Sequence, residues 1–209
     1  MKLIEGVKTV RGRPGIITDC SRNDLPILFK ELGFKVGIEV GVYKGYFTQI
    51  LASTGLQIYG IDPWRIYRDY GNPRGQQRLD FQYEHTLREL ASFSNIKIIR
   101  KTSMEALEDF PDGSLDFVYI DGNHHFRYIA DDIVEWTIKL KKGGIMSGHD
   151  YIYTKSQTVN GGCDVHYIVD AYIKAASIRN FWVLGRKEYR DGEKRDRWRS
   201  WMWFKEKNW

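Results

Sequence analysis

The chain has 209 residues, 42% of them hydrophobic, enough to bury one large core. It holds no apolar run of membrane-spanning length, and its first residues, MKLIEGVKTVRGRPG, lack the apolar centre of a secretory signal, so a cytoplasmic protein is expected. The net charge of +5 is concentrated between Arg186 and Lys207, where nine Lys/Arg stand against five Asp/Glu; the rest of the chain is no general polycation.

In chain order, residues 1–22 read as irregular, because Gly12, Pro14 and Gly15 break any periodicity. Asn23 or Asp24 can cap a helix that has Pro26 in its first turn, carries Leu25, Leu28, Phe29 and Leu32 at helical spacing, and stops at Gly33. Lys35–Gly45 follows as KVGIEVGVYKG: alternating Val36, Ile38 and Val40, then Gly41 and Gly45, then the start of a helix at Tyr46. A second apolar run, Ile58–Ile61, ends at Asp62. Trp64–Gly75 is a polar, aromatic loop with the composition of a lid.

A helix over Gln76–Phe93, a strand over Asn95–Arg100 and a short helix over Ser103–Phe110 come next. Leu115–Ile120 reads as a strand ending at Asp121. Arg127–Leu140 reads as a helix with Ile129, Ile133, Trp136 and Leu140 on one face, closed by Lys141-Lys142-Gly143-Gly144. Ile145–Ser147 is a strand leading into Gly148-His149-Asp150. A helix over Asp164–Ala176 and a hairpin of Phe181–Leu184 with Ser200–Phe204 complete the chain. The alternation predicts an α/β fold: a doubly wound, mostly parallel, seven-stranded Rossmann-like sheet with a C-terminal antiparallel hairpin. One domain is expected over 1–209, with an N-terminal segment and helix at 1–34, a cofactor-binding core at 35–152 and a C-terminal helix and hairpin at 153–209.

The turn after Val40 bears on the ligand. A dinucleotide turn needs G-x-G-x-x-G for its pyrophosphate, whereas here Tyr43 stands where the second glycine belongs. Glu39, two residues before Gly41, suits an ammonium or sulfonium charge instead. With Asp62 ending the next strand, the sequence resembles the class I S-adenosylmethionine-dependent methyltransferases. The stretch Asp116–Asp150, DFVYIDGNHHFRYIADDIVEWTIKLKKGGIMSGHD, extends this over roughly residues 35–152. It is similar to the small-molecule O-methyltransferases of the macrocin and catechol type.

The resemblance implies S-adenosylmethionine as cofactor, with Glu39 and Gly41 at its methionine part and the turn residues Tyr43 and Gly45 also on the cofactor, Tyr43 standing where the family commonly has glycine. It implies Asp62 at the ribose, Ser103 and Met104 at the adenine, and Asp121 at the reacting end. It also implies an acceptor that is a small molecule with a sugar or phenolic hydroxyl. Methyl transfer from a sulfonium is an in-line displacement, so the protein must align the acceptor oxygen and take or mask its proton. Asp121, His124, His125, His149 and Asp150, at the ends of two adjacent strands, are the candidates, with a histidine as general base. His125 can equally be a structural residue at a helix start, and Asp131-Asp132 reads as a helix charge pair.

A divalent metal, Mg or Mn, is left open: Asp121, His149 and Asp150 are the candidate ligands, the histidine favouring Mn over Mg. Cys20 and Cys163 lack any metal-ligand spacing and are expected to be reduced. A homo-oligomer is also left open. Two other readings stand beside this one. The basic C-terminal segment, with Tyr189, Trp198, Trp201, Trp203 and Phe204, has the composition of a nucleic-acid surface, a partner less favoured than the small molecule. A nucleotide-cofactor oxidoreductase is compatible with the same sheet.

Overall fold

The computed structural model describes residues 2–66, 75–153, 163–188 and 190–206. Its strands are β1 (Gly15–Ile17), β2 (Val36–Val40), β3 (Gln57–Ile61), β4 (Ile96–Ile99), β5 (Leu115–Ile120), β6 (Leu140–Gly148), β7 (Trp182–Leu184) and β8 (Trp201–Phe204). They form one sheet in the order β1-β7-β8-β6-β5-β2-β3-β4. Only β8 runs against its neighbours, β6 and β7. The helices are α1 (Leu3–Thr9), α2 (Leu25–Glu31), α3 (Tyr46–Ala52), α4 (Gln76–Leu90), α5 (Ser103–Ala106), α6 (Phe126–Lys139) and α7 (Val165–Ala175).

Alternation along the central strands sorts the core into two layers. On β5, Leu115, Val118 and Ile120 join Ile129, Ile133 and Trp136 of α6 and Val165, Val169 and Ile173 of α7. Phe117 and Tyr119 point the other way, to Leu25, Leu28 and Phe29 of α2 and Phe47 and Leu51 of α3. A strand buried on both faces reads as a continuous apolar run, as LDFVYI does. The register of β2 with β3 and β5 aligns Val40, Ile61 and Ile120, so Gly41, Asp62 and Asp121 emerge side by side.

The expected doubly wound α/β architecture with its antiparallel closing strand is present, and three local expectations are corrected. Among the described residues the sheet has eight strands, not seven: within the stretch read as irregular lie α1 and β1, and β1 pairs in parallel with β7. The helix α1, LIEGVKT, carries a central glycine and no sustained apolar spacing, and the three residues of β1 are held by partners some 165 residues away. The Lys141–Gly144 run does not cap α6. That helix ends at Lys139, and Leu140 already pairs with Leu115 of β5. Third, β8 lies in the sheet interior, so Trp201 and Trp203 are buried in its core and are not offered to nucleic-acid bases. Residues 67–74 of the expected lid fall outside the described residues. Among the described residues, no helix is long and apolar enough to cross a membrane.

Asp116 ties β2, β5 and β6 together. Its Oδ2 accepts the Lys35 and Val36 N–H groups at 2.7 and 2.9 Å, and its Oδ1 takes the Lys141 ammonium at 2.7 Å. Burial opposes ionisation, but the Lys141 ammonium and the two N–H groups outweigh it and hold the carboxyl below its ordinary pKa. Asp116→Ala strips both backbone donors of their acceptor and is expected to lower stability by about 1–3 kcal/mol. Urea denaturation of the two proteins checks this; an unchanged midpoint removes Asp116 from the account of strand register.

Candidate functional site

The turn after β2 is built on left-handed backbone. Gly41 has φ +93°, Tyr43 φ +49° and Gly45 φ +75°. A Cβ on Gly41 would overlap the Asp121 carbonyl and lie 2.7 Å from the Gly122 nitrogen, so the position admits only glycine. The Tyr43 conformation costs a non-glycine residue about 1–2 kcal/mol. Three hydrogen bonds offset it. The Tyr43 N–H donates to Asp62 Oδ2 at 2.9 Å, and its carbonyl accepts the Trp64 indole N–H at 3.1 Å and the Thr86 hydroxyl at 2.8 Å. Asp62 Oδ1 accepts the Trp64 N–H at 2.8 Å. Burial raises the Asp62 pKa against the pull of these N–H groups. Its oxygens keep lone pairs for further donors.

The ends of β5 and β6 bring two aspartates and two histidines together. Asp150 Oδ2 lies 3.0 Å from His124 Nε2 and 3.2 Å from His149 Nδ1, and Asp121 Oδ1 lies 3.7 and 3.9 Å from the same atoms. Asp150, like Tyr43, is left-handed, with φ +57°. Burial disfavours an imidazolium at His124, yet the facing Asp121 and Asp150 carboxylates push its pKa up to about 10. His149 is raised for the same reasons, and Asp150, despite burial, is held well below the usual carboxylate range by the two imidazoles. His125 occupies the N-cap position of α6, where its main-chain N–H donates to Asn123 Oδ1 at 3.1 Å. Asp121, His124 and Asp150 offer donor atoms that all lie within 4.8 Å of one another, the spacing of a candidate cation site. This brings in His124, where the sequence pointed to His149 as the histidine ligand.

A cavity of about 930 Å³ opens over these strand ends. Its wall takes in Glu39, Gly41, Tyr43, Asp62, Ser103, Met104, Asp121 and His124, whereas His149 and Asp150 stand behind, 9% and 7% exposed. Gly45 stays behind the wall as the N-cap of α3. Glu39 is 2% exposed and accepts the Thr48 hydroxyl at 2.6 Å. Burial raises its pKa to about 8, the Thr48 bond opposing, so near neutrality it is mostly a neutral acid.

Among the wall residues to which the sequence did not point, two stand out. Asp132, read as part of a helix charge pair, is 3% exposed and is raised to about 7 by burial, with Ser103 opposing. Ser103 also accepts the Trp136 indole N–H at 2.7 Å. Its signal was available: Asp132 falls on the apolar face Ile129-Ile133-Trp136, where a charge has no structural reason to be. Arg22, whose Nη1 lies 3.1 Å from Asp121 Oδ2, comes from a segment without periodicity and gave no signal.

An open, mostly parallel sheet with its cavity at the carboxyl ends of the strands, over the switch point between β2 and β5, is an arrangement that binds a nucleotide-like ligand. The chain belongs to the methyltransferase domain family, whose model matches residues 38–151. A curated relative, uncharacterized protein y4gI of Sinorhizobium fredii, is 25% identical over 124 residues, which are 54% of this chain and 13% of that protein. The chain therefore spans only a small part of that relative. Among solved structures, cofactor-bound Rv0187 from MTB is similar with a TM-score of 0.61 and 13% identity, covering 90% of this chain and 80% of that one. The O-methyltransferase TomG from Streptomyces achromogenes, solved with SAM, gives a TM-score of 0.57 at 11% identity over 88% and 78% of the two chains. The O-methyltransferase from Bacillus cereus, solved with SAH, gives 0.57 at 14% over 87% and 79%. At these identities the likeness is one of fold.

Glu39 makes stability depend on pH. Its folded pKa of about 8 lies above the ordinary 4.5, so the folded state holds a proton that the unfolded chain releases. That contribution is complete below the unfolded pKa and is lost as pH rises towards about 8, at up to about 1.4 kcal/mol per unit. Glu39→Gln keeps the Thr48 bond and removes the titration. Urea unfolding at pH 5 and pH 8 is expected to show a smaller loss in the variant; equal losses would place the ionisation elsewhere.

Proposed function

We propose that this protein transfers the methyl group of S-adenosylmethionine to a hydroxyl oxygen of a small molecule. The observation that carries the reading is the cavity itself: Asp62 faces one part of it, the Gly41 turn another, and Asp121 and His124 stand beside them. Asp62 would accept the ribose hydroxyls, Ser103, Met104 and Asp132 would border the adenine, and Gly41 would let the backbone approach the methionine part. A cavity of about 930 Å³ lies at the upper end of the range for small-molecule sites, in keeping with a cofactor and a small acceptor together. The O-methyltransferases solved with SAM and SAH support the cofactor class. Neither the nucleic-acid reading nor the oxidoreductase reading gains an observation that favours it.

The residues at the ends of β5 and β6 would act on the acceptor. Their carboxylate and imidazole donors, all within 4.8 Å, fit a divalent cation at Asp121, His124 and Asp150, and the mixed oxygen and nitrogen set suits Mn²⁺ better than Mg²⁺. A bound cation supplies a Lewis acid that orients a hydroxyl and lowers its pKa. Asp121 and His124, on the wall, would face the acceptor; His149 would hold Asp150 in place from behind.

Two measurements test this. Calorimetric titration with S-adenosylmethionine is expected to show binding, weakened about tenfold or more by Asp62→Asn, the scale of one charge-assisted hydrogen bond. Unchanged affinity would remove Asp62 from the ribose. Methyl transfer to a panel of hydroxylated acceptors is expected to fall about a hundredfold in His124→Ala while cofactor affinity holds. EDTA then divides the roles: turnover lost and restored by Mn²⁺ makes Asp121, His124 and Asp150 ligands, and turnover indifferent to chelation leaves His124 as a hydrogen-bond donor that orients the acceptor oxygen.

A further inference from the structure

Besides His124, four Lys/Arg side chains line the cavity among the described residues: Arg22, Lys44, Arg65 and Arg127. Two of them sit at its mouth. Arg127 and Arg65 have side chains 84% and 51% exposed and answer Asp131 and Glu105 at 3.8 and 3.6 Å. Lys44 lies 5.6 Å from the ring of Tyr43, itself exposed. Arg22 differs: its side chain is 29% exposed, and its guanidinium is held on several sides. Nη1 meets Asp121 Oδ2 at 3.1 Å, Nε lies 3.9 Å from Asp196 Oδ1, and the Phe47 ring lies 5.4 Å from Cζ. The backbone beneath is pinned too, since the Arg22 N–H donates to Asp196 Oδ2 at 2.8 Å.

The ligand proposed above carries an ammonium and a carboxylate on one carbon. Such a zwitterion fits best against a cation and an anion that are themselves adjacent, and Arg22 with Asp121 is such a pair at the inner wall. The far part of the cavity, at Thr102, Ser103, Met104 and Asp132, presents hydroxyl, thioether and carboxyl groups instead. A guanidinium has five donors, and the Asp121 contact at 3.1 Å with the looser Asp196 approach at 3.9 Å leaves capacity for another oxygen. Resting on the cofactor reading, we infer that Arg22 binds the α-carboxylate of the methionyl end of the cofactor. The residue lies outside the segment 38–151 that matches the family model, so this anchor belongs to the N-terminal segment of this chain.

Two probes separate the carboxylate from the rest of the ligand: S-adenosylhomocysteine, which carries it, and 5′-methylthioadenosine, which lacks the amino-acid end. Arg22→Met keeps a stem of similar length against Phe47 and removes the charge. Calorimetry is expected to show S-adenosylhomocysteine weakened about 10- to 100-fold in the variant, the scale of a charged hydrogen bond, with methylthioadenosine within about twofold of the parent. Arg22→Lys is expected to recover part of the loss. Retained methylthioadenosine binding certifies that the variant is folded. Equal loss for both probes, or unchanged S-adenosylhomocysteine affinity, overturns the assignment. Failure of the parent protein to bind S-adenosylhomocysteine overturns the cofactor reading and the Arg22 assignment with it.

Discussion

Where β2 and β5 end side by side, the Cα of Gly41 packs against the peptide joining Asp121 to Gly122, with no space for a side chain between them. The Asp121 N–H donates to the Val40 carbonyl at 2.8 Å and carries the ladder one residue beyond the strands. This approach positions Asp121 within reach of Arg22 on one side and of His124 and His149 on the other. It falls where the chain leaves the sheet centre in opposite directions, through β3 and β4 one way and β6 the other, so the strand ends diverge and open a crevice. Any wider spacing there would separate the groups that line the cavity.

Glu39, Asp121, Asp132 and Asp150 stand on or just behind the wall of one cavity and would repel one another if all were ionised, and the structure relieves this in two ways. Glu39 and Asp132, with no facing cation strong enough to offset burial, are pushed up towards neutrality as acids. Asp121 and Asp150 are compensated instead, by Arg22 and by two imidazoles. Neutral acids and paired anions then stand around the same cavity. The field across the cavity is set by where cations stand and not by how many carboxyl groups line it.

Strain is kept where it is well supported. Tyr43 and Asp150 both adopt left-handed backbone, and each is tied to neighbours across the site: Tyr43 through Asp62, Trp64 and Thr86, Asp150 through His124 and His149. Contacts of this kind favour one conformation of each turn, and a turn already in one conformation has less to order when a ligand binds.

Much of this was legible in the residues themselves. The alternation of Val36, Ile38 and Val40 before Gly41, the apolar run closed by Asp62, and LDFVYI before Asp121 each specify a strand and its end through local periodicity. That local order was enough to line up Gly41, Asp62 and Asp121 along one edge of a parallel sheet. Tertiary structure alone decided the rest. The three-residue β1 exists only because β7 pairs with it, and β8 slots between β6 and β7 because its indoles fill the core. Arg22 meets Asp121 across 99 positions of sequence, and Asp132 reaches the cavity only because α6 lies over β5 with that face inward. Periodicity reports how a segment is buried, whereas distances between side chains depend on strand register and helix rotation, which are settled only when the whole sheet packs.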